Sequence, residues 1–488
     1  MIGSVDARAL LPLLILGYGA TVLLVVSAFL RRPAAIAALS LATLAAAFVS
    51  IFAARAEAPR EVAGLLAIDG VSLFWMGLLF AAGFATILIA RDYFRGRAER
   101  EDRFHILVLF AVLGMAVAAA SMHFATFFLG LETLTVSLYG LVGFTRLRRA
   151  SLEAAIKYLV LAAASSAFLL YGIALLYAGS GHLDFAGLGR SFEEAGGMNG
   201  LARIGLALVI VGFGFKLAFV PFHMWSPDVY QGAPPPATAL IASGSKGAIF
   251  ALLFRLASDL DLASDPPARL LLTALCVATM FGGNLLALRQ RNLRRLLAYS
   301  SIAHMGYLTI PLLAGGEVGF GAFGFYLVSY FATILAAFGV IAVLSTPGRE
   351  VQEIEDLRGL GRERPLAGFV LALAMVSLVG IPLTAGFVAK FYIFGAGVRA
   401  GLWTLVLLAV VASGISAYYY VRVLVTLYAT REAGAAAPAA LAQRPSSPWA
   451  WAAILALALV VLFFGIYPAP LIALASGAMG MGAPMAGW

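Results

Sequence analysis

The lysines of this sequence are few, and each lies where an ammonium group is unexpected. Of the 33 lysine and arginine residues only four are lysine, and all four fall within long apolar stretches: Lys157, Lys216, Lys246 and Lys390. Arginine stays protonated under any condition that a protein meets, whereas a lysine withdrawn from water can release its proton. The distribution therefore predicts sites that gain and lose protons in an apolar environment.

One carboxylate also lies within an apolar stretch. Of the 24 acidic residues, only Glu132, in "FFLGLETLTVSLYG", lies near the centre of an apolar stretch. A charge at the centre of a bilayer costs at least ~2.5–3.5 kcal/mol, so Glu132 needs a partner, and a nearby lysine is the natural one. Such a pair could load and release protons, and the alternative is a purely structural ion pair that holds helices together.

Two histidines lie in apolar surroundings. His304, in "SSIAHMGYLTIPLL", is the only group in its stretch that could relay protons between Lys246 and Lys390. His223 lies in "VPFHMWSP", where it could relay protons or simply bond a backbone carbonyl that the nearby prolines leave unpaired. Both interpretations of His223 remain open at the level of sequence.

The composition shows which environment positions these residues. The chain has 488 residues, of which 62% are hydrophobic and 12% charged, and apolar stretches of about 20 residues, long enough to span a bilayer as helices, recur along it. We therefore predict an all-α integral membrane protein. A single cysteine, Cys276, excludes an internal disulfide and any iron–sulfur cluster or zinc site built on cysteines of this chain, so we expect no redox centre here.

Hydropathy predicts fourteen transmembrane helices. The predicted spans cover residues 8–30, 34–54, 69–90, 104–121, 124–144, 154–178, 201–221, 236–257, 268–288, 298–314, 319–344, 366–397, 402–428 and 449–476.

The loop arginines support this count. With fourteen spans, twenty loop arginines fall on one side of the membrane and eight on the other, the eight being Arg8, Arg55, Arg60, Arg190, Arg203, Arg255, Arg269 and Arg399. The positive-inside rule then places the larger set in the cytoplasm and both termini in the periplasm. The net charge of +9 has the same origin, and we do not expect nucleic-acid binding.

Prolines predict that two of the spans are broken. Pro221 and Pro227 interrupt the seventh span, and Pro382, in "GIP", interrupts the twelfth, because proline removes a helix hydrogen bond and clashes with the preceding turn. Discontinuous helices in corresponding positions of two halves indicate an ion pathway near the membrane midplane.

The five-span separation of the breaks predicts an internal repeat. Spans four to eight and nine to thirteen would be two five-helix repeats, and the odd number of spans makes the second copy inverted. The chain then divides into a three-helix segment (1–103), a first repeat (104–257), a second repeat (268–428) and a C-terminal helix (429–488).

Three motifs in this sequence resemble one known family. They are "GFKLAFVPFHMWSPDVYQGAPPPATALIASGSKGAIFALL" at 214–253, "LLAYSSIAHMGY" at 296–307 and "GIPLTAGFVAKFYIF" at 380–394. They closely resemble the antiporter-like membrane subunits of respiratory complex I, the NADH:quinone oxidoreductase, over about residues 70–430. Within that family the resemblance is closest to subunit N, since subunit M is expected to carry a glutamate in place of Lys390 and subunit L a long lateral helix beyond the fourteenth span.

The resemblance implies roles for the residues singled out above. Glu132 and Lys216 would form a charge pair with Lys157 beside it, and Lys246 would be the central connecting lysine. His304 would lie in the connecting span and Lys390 in the second broken helix.

The resemblance also implies a function, a location and partners. The chain would translocate protons as part of NADH:quinone oxidoreductase in the bacterial inner membrane, in contact with lipid and with neighbouring membrane subunits. It would hold no cofactor itself, because FMN, iron–sulfur clusters and quinone would belong to partner subunits. The alternatives are a subunit of a multi-subunit sodium/proton antiporter, which shares the same core, and an independent solute carrier with a substrate site at the helix breaks.

Overall fold

The structure of the protein is a computed structural model, which describes residues 3–30, 32–430 and 446–480. The helices of its first half are α1 (Ser4–Ala9), α2 (Leu11–Phe29), α3 (Pro33–Arg55), α4 (Gly70–Phe94), α5 (Glu101–Ala120), α6 (Phe124–Val142), α7 (Arg149–Ser180), α8 (Phe185–Glu194), α9 (Gly200–Leu217), α10 (Trp225–Gly232), α11 (Pro235–Leu240) and α12 (Lys246–Asp259). A π-helix, Ile241–Ser245, joins α11 to α12 without a break.

The second half continues in the same manner. Its helices are α13 (Pro266–Leu288), α14 (Leu293–Ala314), α15 (Gly316–Leu344), a 3₁₀ turn (Ile354–Leu357), α16 (Leu360–Glu363), α17 (Pro365–Val379), α18 (Ala385–Arg399), α19 (Trp403–Tyr428), α20 (Pro448–Ile466) and α21 (Ala469–Gly480). Among the described residues the only strands are β1 (Arg60–Val62) and β2 (Leu66–Ile68), which pair antiparallel in the loop between α3 and α4.

The prediction of an all-α integral membrane protein is confirmed. Within the described ranges, thirteen helices are long and apolar enough to cross a membrane, and they match thirteen of the fourteen predicted spans. The remaining span, at 366–397, is broken as predicted, into α17 and α18 of 15 residues each. Gly380 ends α17 in the left-handed conformation, and Pro382 lies in the connection.

The break in the seventh span lies slightly earlier than predicted. Helix α9 ends at Leu217, and Ala218 adopts a left-handed conformation with φ of 58°, so the chain has left the helix three residues before Pro221. Pro227 was predicted to interrupt this span and does not: it lies in the first turn of α10. Proline is tolerated there because backbone N–H groups in the first turn have no helical partner.

The last predicted span is also divided. A single helix was predicted at 449–476, but the structure has α20 and α21 with Tyr467 and Pro468 between them. Proline disfavours helical geometry in the residue before it, which explains the interruption at Tyr467. Residues 431–445 and 481–488 of the predicted C-terminal segment lie outside the described ranges.

Two sets of five spans have the same order of parts. Helices α5, α6 and α7 precede the broken pair α9 and α10, which the α11–α12 span follows. Helices α13, α14 and α15 likewise precede the broken pair α17 and α18, which α19 follows. Helix α5 packs on α6 as α13 packs on α14. These parallels support the predicted five-helix repeats.

Loop contacts show that the spans alternate in direction as predicted. The carboxylate of Glu350, after α15, forms ion pairs with Arg97, Arg148 and Arg294, which lie in or beside the loops that follow α4, α6 and α13. Their N–O distances are 3.5, 2.6 and 2.7 Å, and Tyr93 donates a further hydrogen bond of 2.5 Å. This cluster of five residues, the Glu350 cluster, gathers four loops on one face of the helix bundle, hereafter the arginine-rich face.

The centre of the bundle is formed by three spans. The α11–α12 span, α14 and α15 are almost wholly enclosed by the others, whereas α2, α3, α7 and α20 expose most of their surface. A helix that is apolar all round is expected in such a buried position. Polar side chains on α12 and α14 therefore lie at the most enclosed part of the molecule, away from lipid and bulk water.

Candidate proton-transfer site

Three of the four lysines are enclosed in the bundle. Lys216 lies in the last turn of α9, just before the first helix break, and Lys390 lies in α18, just after the second. Lys246 is the first residue of α12, immediately after the π-helix. All three side chains are buried, and each bonds hydroxyl or carbonyl oxygens rather than a carboxylate.

Lys157 is in a different environment. Its side chain is 46% exposed, and its Nζ forms ion pairs with Glu153 at 2.8 Å and Asp228 at 2.9 Å. Glu132 bonds Ser166, nine residues further along α7, which corresponds to about 14 Å along a helix axis. The structure thus places Lys157 near the arginine-rich face rather than beside Glu132.

Glu132 and Lys216 each bond a hydroxyl group, but a different one. No direct ion pair joins them among the described residues. Lys216 Nζ instead donates a 2.5 Å hydrogen bond to Thr135 Oγ1, and Thr135 lies one turn after Glu132 on α6. Glu132 Oε1 accepts a 2.8 Å hydrogen bond from Ser166 Oγ. Lys216 is thus bonded on α6 and Glu132 on α7, each by a hydroxyl rather than by the other's charge.

Lys246 lies at a junction of three hydroxyl groups. Its Nζ donates to Ser301 Oγ over 2.7 Å, and Tyr330 donates to the same oxygen over 2.7 Å. Tyr230 lies 3.1 Å from that oxygen, and its ring centroid is 5.4 Å from Lys246 Nζ. Ser301 connects the central lysine on α12 to helices α10, α14 and α15.

His304 lies one turn beyond Ser301 on α14. Its Nδ1 is 2.6 Å from the hydroxyl of Tyr326, and its Nε2 is 3.3 Å from the hydroxyl of Tyr420. The Tyr420 hydroxyl also bonds Ser300. Both ring nitrogens thus have hydroxyl partners, and an imidazole so placed can accept a proton on one nitrogen and release one from the other.

Lys390 is held by the second helix break. Its Nζ donates to the carbonyl oxygen of Val379 at 2.7 Å and to Ser413 Oγ at 2.8 Å. Val379 ends α17, so this carbonyl is one that the break leaves without a helical partner. A Cβ on Gly380, which has φ of 85°, would come within 2.9 Å of Lys390 Cδ, and the position therefore requires glycine.

A small cavity lies between His304 and the second break. Its lining includes His304, Tyr330, Thr333, Ser377 and Gly386, from α14, α15, α17 and α18. The space open to the centre of a water molecule is about 10 Å³, which is roughly the room that one water needs. The lining hydroxyls would give such a water the hydrogen bonds that hold it.

His223 lies in the first helix break, as predicted. Its side chain is buried, and its Nδ1 has no hydrogen-bond partner among the described residues. Its ring lies 6.4 Å, between centroids, from that of Tyr299, which precedes Ser300 on α14. The structure places the backbone carbonyl of Pro221 beside this imidazole, so the carbonyl-bonding interpretation has a partner, and the relay role stays a prediction.

Sequence reasoning missed the hydroxyl groups of this site. Tyr230, Tyr326, Tyr330, Tyr420 and Ser301 are all buried and bond one another, Lys246 or His304. A signal was present, because Tyr326 and Tyr330 have the i, i+4 spacing of one helix face. Buried tyrosines need partners for their hydroxyls, and several in enclosed spans indicate a polar interior.

The comparisons with known proteins identify the family. The model of a family described as NADH:quinone oxidoreductase/Mrp antiporter, transmembrane region, matches residues 121–416. A chain in a structure of respiratory complex I from Thermus thermophilus is 37% identical, with a TM-score of 0.81, and the alignment covers 95% of this chain and 99% of that one.

Two further structures show the same fold. A chain of the membrane-bound sulfane sulfur reductase, an archaeal respiratory membrane complex, is 25% identical with a TM-score of 0.82, covering 96% of this chain and 97% of that one. A chain of the Mrp complex from Dietzia sp. DQ12-45-1b is 22% identical with a TM-score of 0.83, covering 96% of each. All three are chains of multi-subunit complexes, and this chain belongs to the family of antiporter-like membrane subunits found in complex I, Mrp and related complexes.

Proposed function

We propose that this chain is the proton-translocating subunit N of a bacterial NADH:quinone oxidoreductase. The observation that carries the proposal is the bonding of three buried lysines: Lys216, Lys246 and Lys390 each donate to a hydroxyl group. A hydroxyl can pass a proton on by accepting one and donating another. Fixed structural cations would instead be expected to face carboxylates.

These lysines, the histidine and Glu132 would form a path across the bundle. It would start at Glu132, Thr135 and Lys216 on α6 and α9, continue through Lys246 and Ser301 on α12 and α14, and then reach His304 and Lys390, each of which bonds hydroxyl groups. These residues come from both five-helix sets. Protonation of one lysine raises the electrostatic cost of protonating the next, so a charge change at one end of the path can propagate along it.

The redox chemistry would take place in other subunits. FMN, iron–sulfur clusters and quinone would be held by partners, and quinone reduction would reach this chain as a change in the charge state of its lysines. The chain would lie in the bacterial inner membrane with its arginine-rich face in the cytoplasm and both termini in the periplasm, as its loop arginines predict. Its partners would be the neighbouring antiporter-like and small membrane subunits.

The alternative function is that of a sodium/proton antiporter subunit. The matching family model includes Mrp antiporters by its description, and the Mrp chain has the same fold. The higher identity to a complex I chain, 37% against 22%, favours the proposal made here.

Affinity purification of the tagged chain from its native membranes tests the proposal. We expect NADH dehydrogenase subunits to co-purify and the reconstituted complex to acidify one side of a vesicle when NADH and a quinone are added. Purification with other antiporter subunits, without NADH oxidation but with sodium-dependent proton exchange, would establish the alternative. A chain that purifies alone and transports a solute would indicate the independent carrier.

A further inference from the structure

The short helix α10 is held by ion pairs near the arginine-rich face of the bundle. Asp228 lies on α10, and its two carboxylate oxygens face two different cations. Oδ2 is 2.9 Å from Lys157 Nζ on α7, and Oδ1 is 2.6 Å from Arg295 Nη1 on α14. These three residues, the Asp228 clamp, join one helix from each five-helix set to the second part of the broken span.

A second group of bonds secures the end of the same helix. Arg295 Nη1 donates to Gln231 Oε1 over 3.1 Å. Arg294, which is fully buried, donates to the carbonyl oxygens of Gln231 and Ala233, each at 3.4 Å. Two successive arginines at the start of α14 thus fix the position of α10 relative to α14.

Helix α10 needs this support because it is short and detached. It has eight residues, and helices shorter than about 12 residues are marginal without tertiary contacts. The break after Leu217 interrupts the helix between α9 and α10, and Trp225 Nε1 bonds the Phe215 carbonyl across it at 2.8 Å, so the position of α10 depends on side-chain contacts. Tyr230, two residues after Asp228, is the α10 residue whose hydroxyl lies 3.1 Å from Ser301 Oγ.

We propose that Asp228 is a positioning residue for the proton path and that Lys157 is its fixed counter-ion rather than a proton carrier. The proposal rests on the proton-translocating function proposed above. The Asp228 clamp holds α10 so that Tyr230 reaches Ser301 and, through it, Lys246. Lys157 then needs only a permanent positive charge, which distinguishes it from the three buried lysines.

Substitutions at the two residues separate these roles. We expect Lys157→Arg to retain pumping, because a guanidinium also pairs with a carboxylate. Lys157→Met and Asp228→Asn should both lower proton pumping per NADH oxidised, with a fall on the order of tenfold for Asp228→Asn, since displacements of about 1 Å near reacting groups can cost a hundredfold. Asp228→Glu should be milder than Asp228→Asn.

A matched control removes a carboxylate from an ion pair outside the clamp. Glu355 pairs with Arg358 at 2.7 Å, and Glu355→Gln should leave pumping unchanged. Loss of pumping in Lys157→Arg, with the complex assembled, would overturn the counter-ion role and indicate that the Lys157 nitrogen must release its proton. Normal pumping in Asp228→Asn would overturn the positioning role.

Cysteine labelling tests the position of α10 without reference to pumping. Val229 and the single native cysteine, Cys276, are both fully buried. In the assembled complex that carries Val229→Cys, a water-soluble maleimide should label neither thiol. Adding Asp228→Asn should raise the rate of maleimide labelling at position 229 several-fold. Cys276 on α13 should stay unlabelled, which would show that the rest of the fold is intact.

The labelling result distinguishes this inference from the proposed function. An unlabelled position 229 in the Asp228→Asn background would refute the clamp even if the complex pumps protons. Labelling of both thiols would also refute it, because Asp228 would then support the whole fold rather than α10. Selective labelling of position 229 would support the clamp even if purification showed an antiporter rather than complex I.

Discussion

Lys246 Nζ and Ser301 Oγ lie 2.7 Å apart, in the most enclosed part of the molecule. A serine hydroxyl has one proton and two lone pairs. Ser301 accepts from Lys246 and from Tyr330, which leaves its own proton for the Tyr230 oxygen at 3.1 Å. If Lys246 lost its proton, Ser301 could turn and donate to the free amine, so its orientation follows the charge of the lysine.

Removal of the Ser301 hydroxyl should interrupt the proposed proton path. We expect Ser301→Ala to lower proton pumping by on the order of 10²-fold, within the range that a positioned proton-transfer group contributes, while the complex still assembles. The measurement is acidification per NADH oxidised in vesicles. Thr309→Val is the control, because Thr309 is a buried hydroxyl on the same helix whose one hydrogen-bond partner within the described ranges is the carbonyl of Met305. Normal coupling in Ser301→Ala would exclude Ser301 from the path.

Arginine in place of a buried lysine distinguishes proton transfer from fixed charge. Lys246→Arg and Lys390→Arg keep a positive charge, but a guanidinium does not release its proton. Both should impair coupled turnover about as strongly as Lys246→Met and Lys390→Met, when pumping and NADH oxidation are measured together in assembled complexes. If an arginine variant pumps almost normally and the matching methionine variant does not, charge alone is needed at that position.

The contrast with Lys157 shows how far the sequence predicts this site. All four lysines lie in apolar stretches, and the sequence correctly predicts the burial of Lys216, Lys246 and Lys390. It does not separate Lys157 from them, because the exposure of Lys157 depends on the face of α7 that it occupies and on Asp228, which is 71 residues away. Contacts between residues distant in sequence cannot be obtained from hydropathy.

The spans were predicted more accurately than their interruptions. Span limits follow from apolar length, which the bilayer requires, and most agree with the structure within a few residues. A proline, by contrast, has different effects at different places: Pro227 is accommodated in the first turn of α10, whereas Pro468 follows the end of α20. Hydropathy also averages over single hydroxyls, so Ser301 and the buried tyrosines gave no signal in the span prediction.

Substitutions of Glu132, Lys216 and Thr135 should lower pumping to different extents. Lys216→Ala should abolish most of the pumping and the coupled NADH:quinone activity while leaving assembly largely intact. Glu132→Gln should lower activity, and Glu132→Asp, which keeps the charge with a shorter reach, should be milder. Thr135→Val should also reduce pumping, because it removes the hydroxyl that accepts the 2.5 Å hydrogen bond from Lys216 Nζ. Normal pumping in both Glu132 variants would indicate that this carboxylate is at most structural.

The Glu350 cluster provides a prediction about stability rather than transport. Burial alone raises the pKa of Glu350, but the charges of Arg294 and Arg148 outweigh this effect and hold the pKa below its usual value. Glu350→Gln leaves three guanidinium groups without their carboxylate, so the free energy of unfolding should fall by about 3–5 kcal/mol, as for other broken buried ion pairs. Thermal unfolding in detergent measures the loss, with the exposed Glu355→Gln as control.

The lowered pKa of Glu350 predicts how the loss of stability in Glu350→Gln depends on pH. A carboxylate with a lowered pKa in the folded state stabilises the protein fully above its unfolded pKa, which is about 4.3 for glutamate, and ceases to do so as the pH falls through the folded value. The difference in unfolding temperature between Glu350→Gln and the unmodified protein should therefore stay constant from about pH 6 to about pH 8, which lies above both the folded and the unfolded pKa of Glu350. It should narrow only when the pH approaches 4. A difference that changes between pH 6 and pH 8 would mean that Glu350 is protonated there, contrary to the pairing with three arginines.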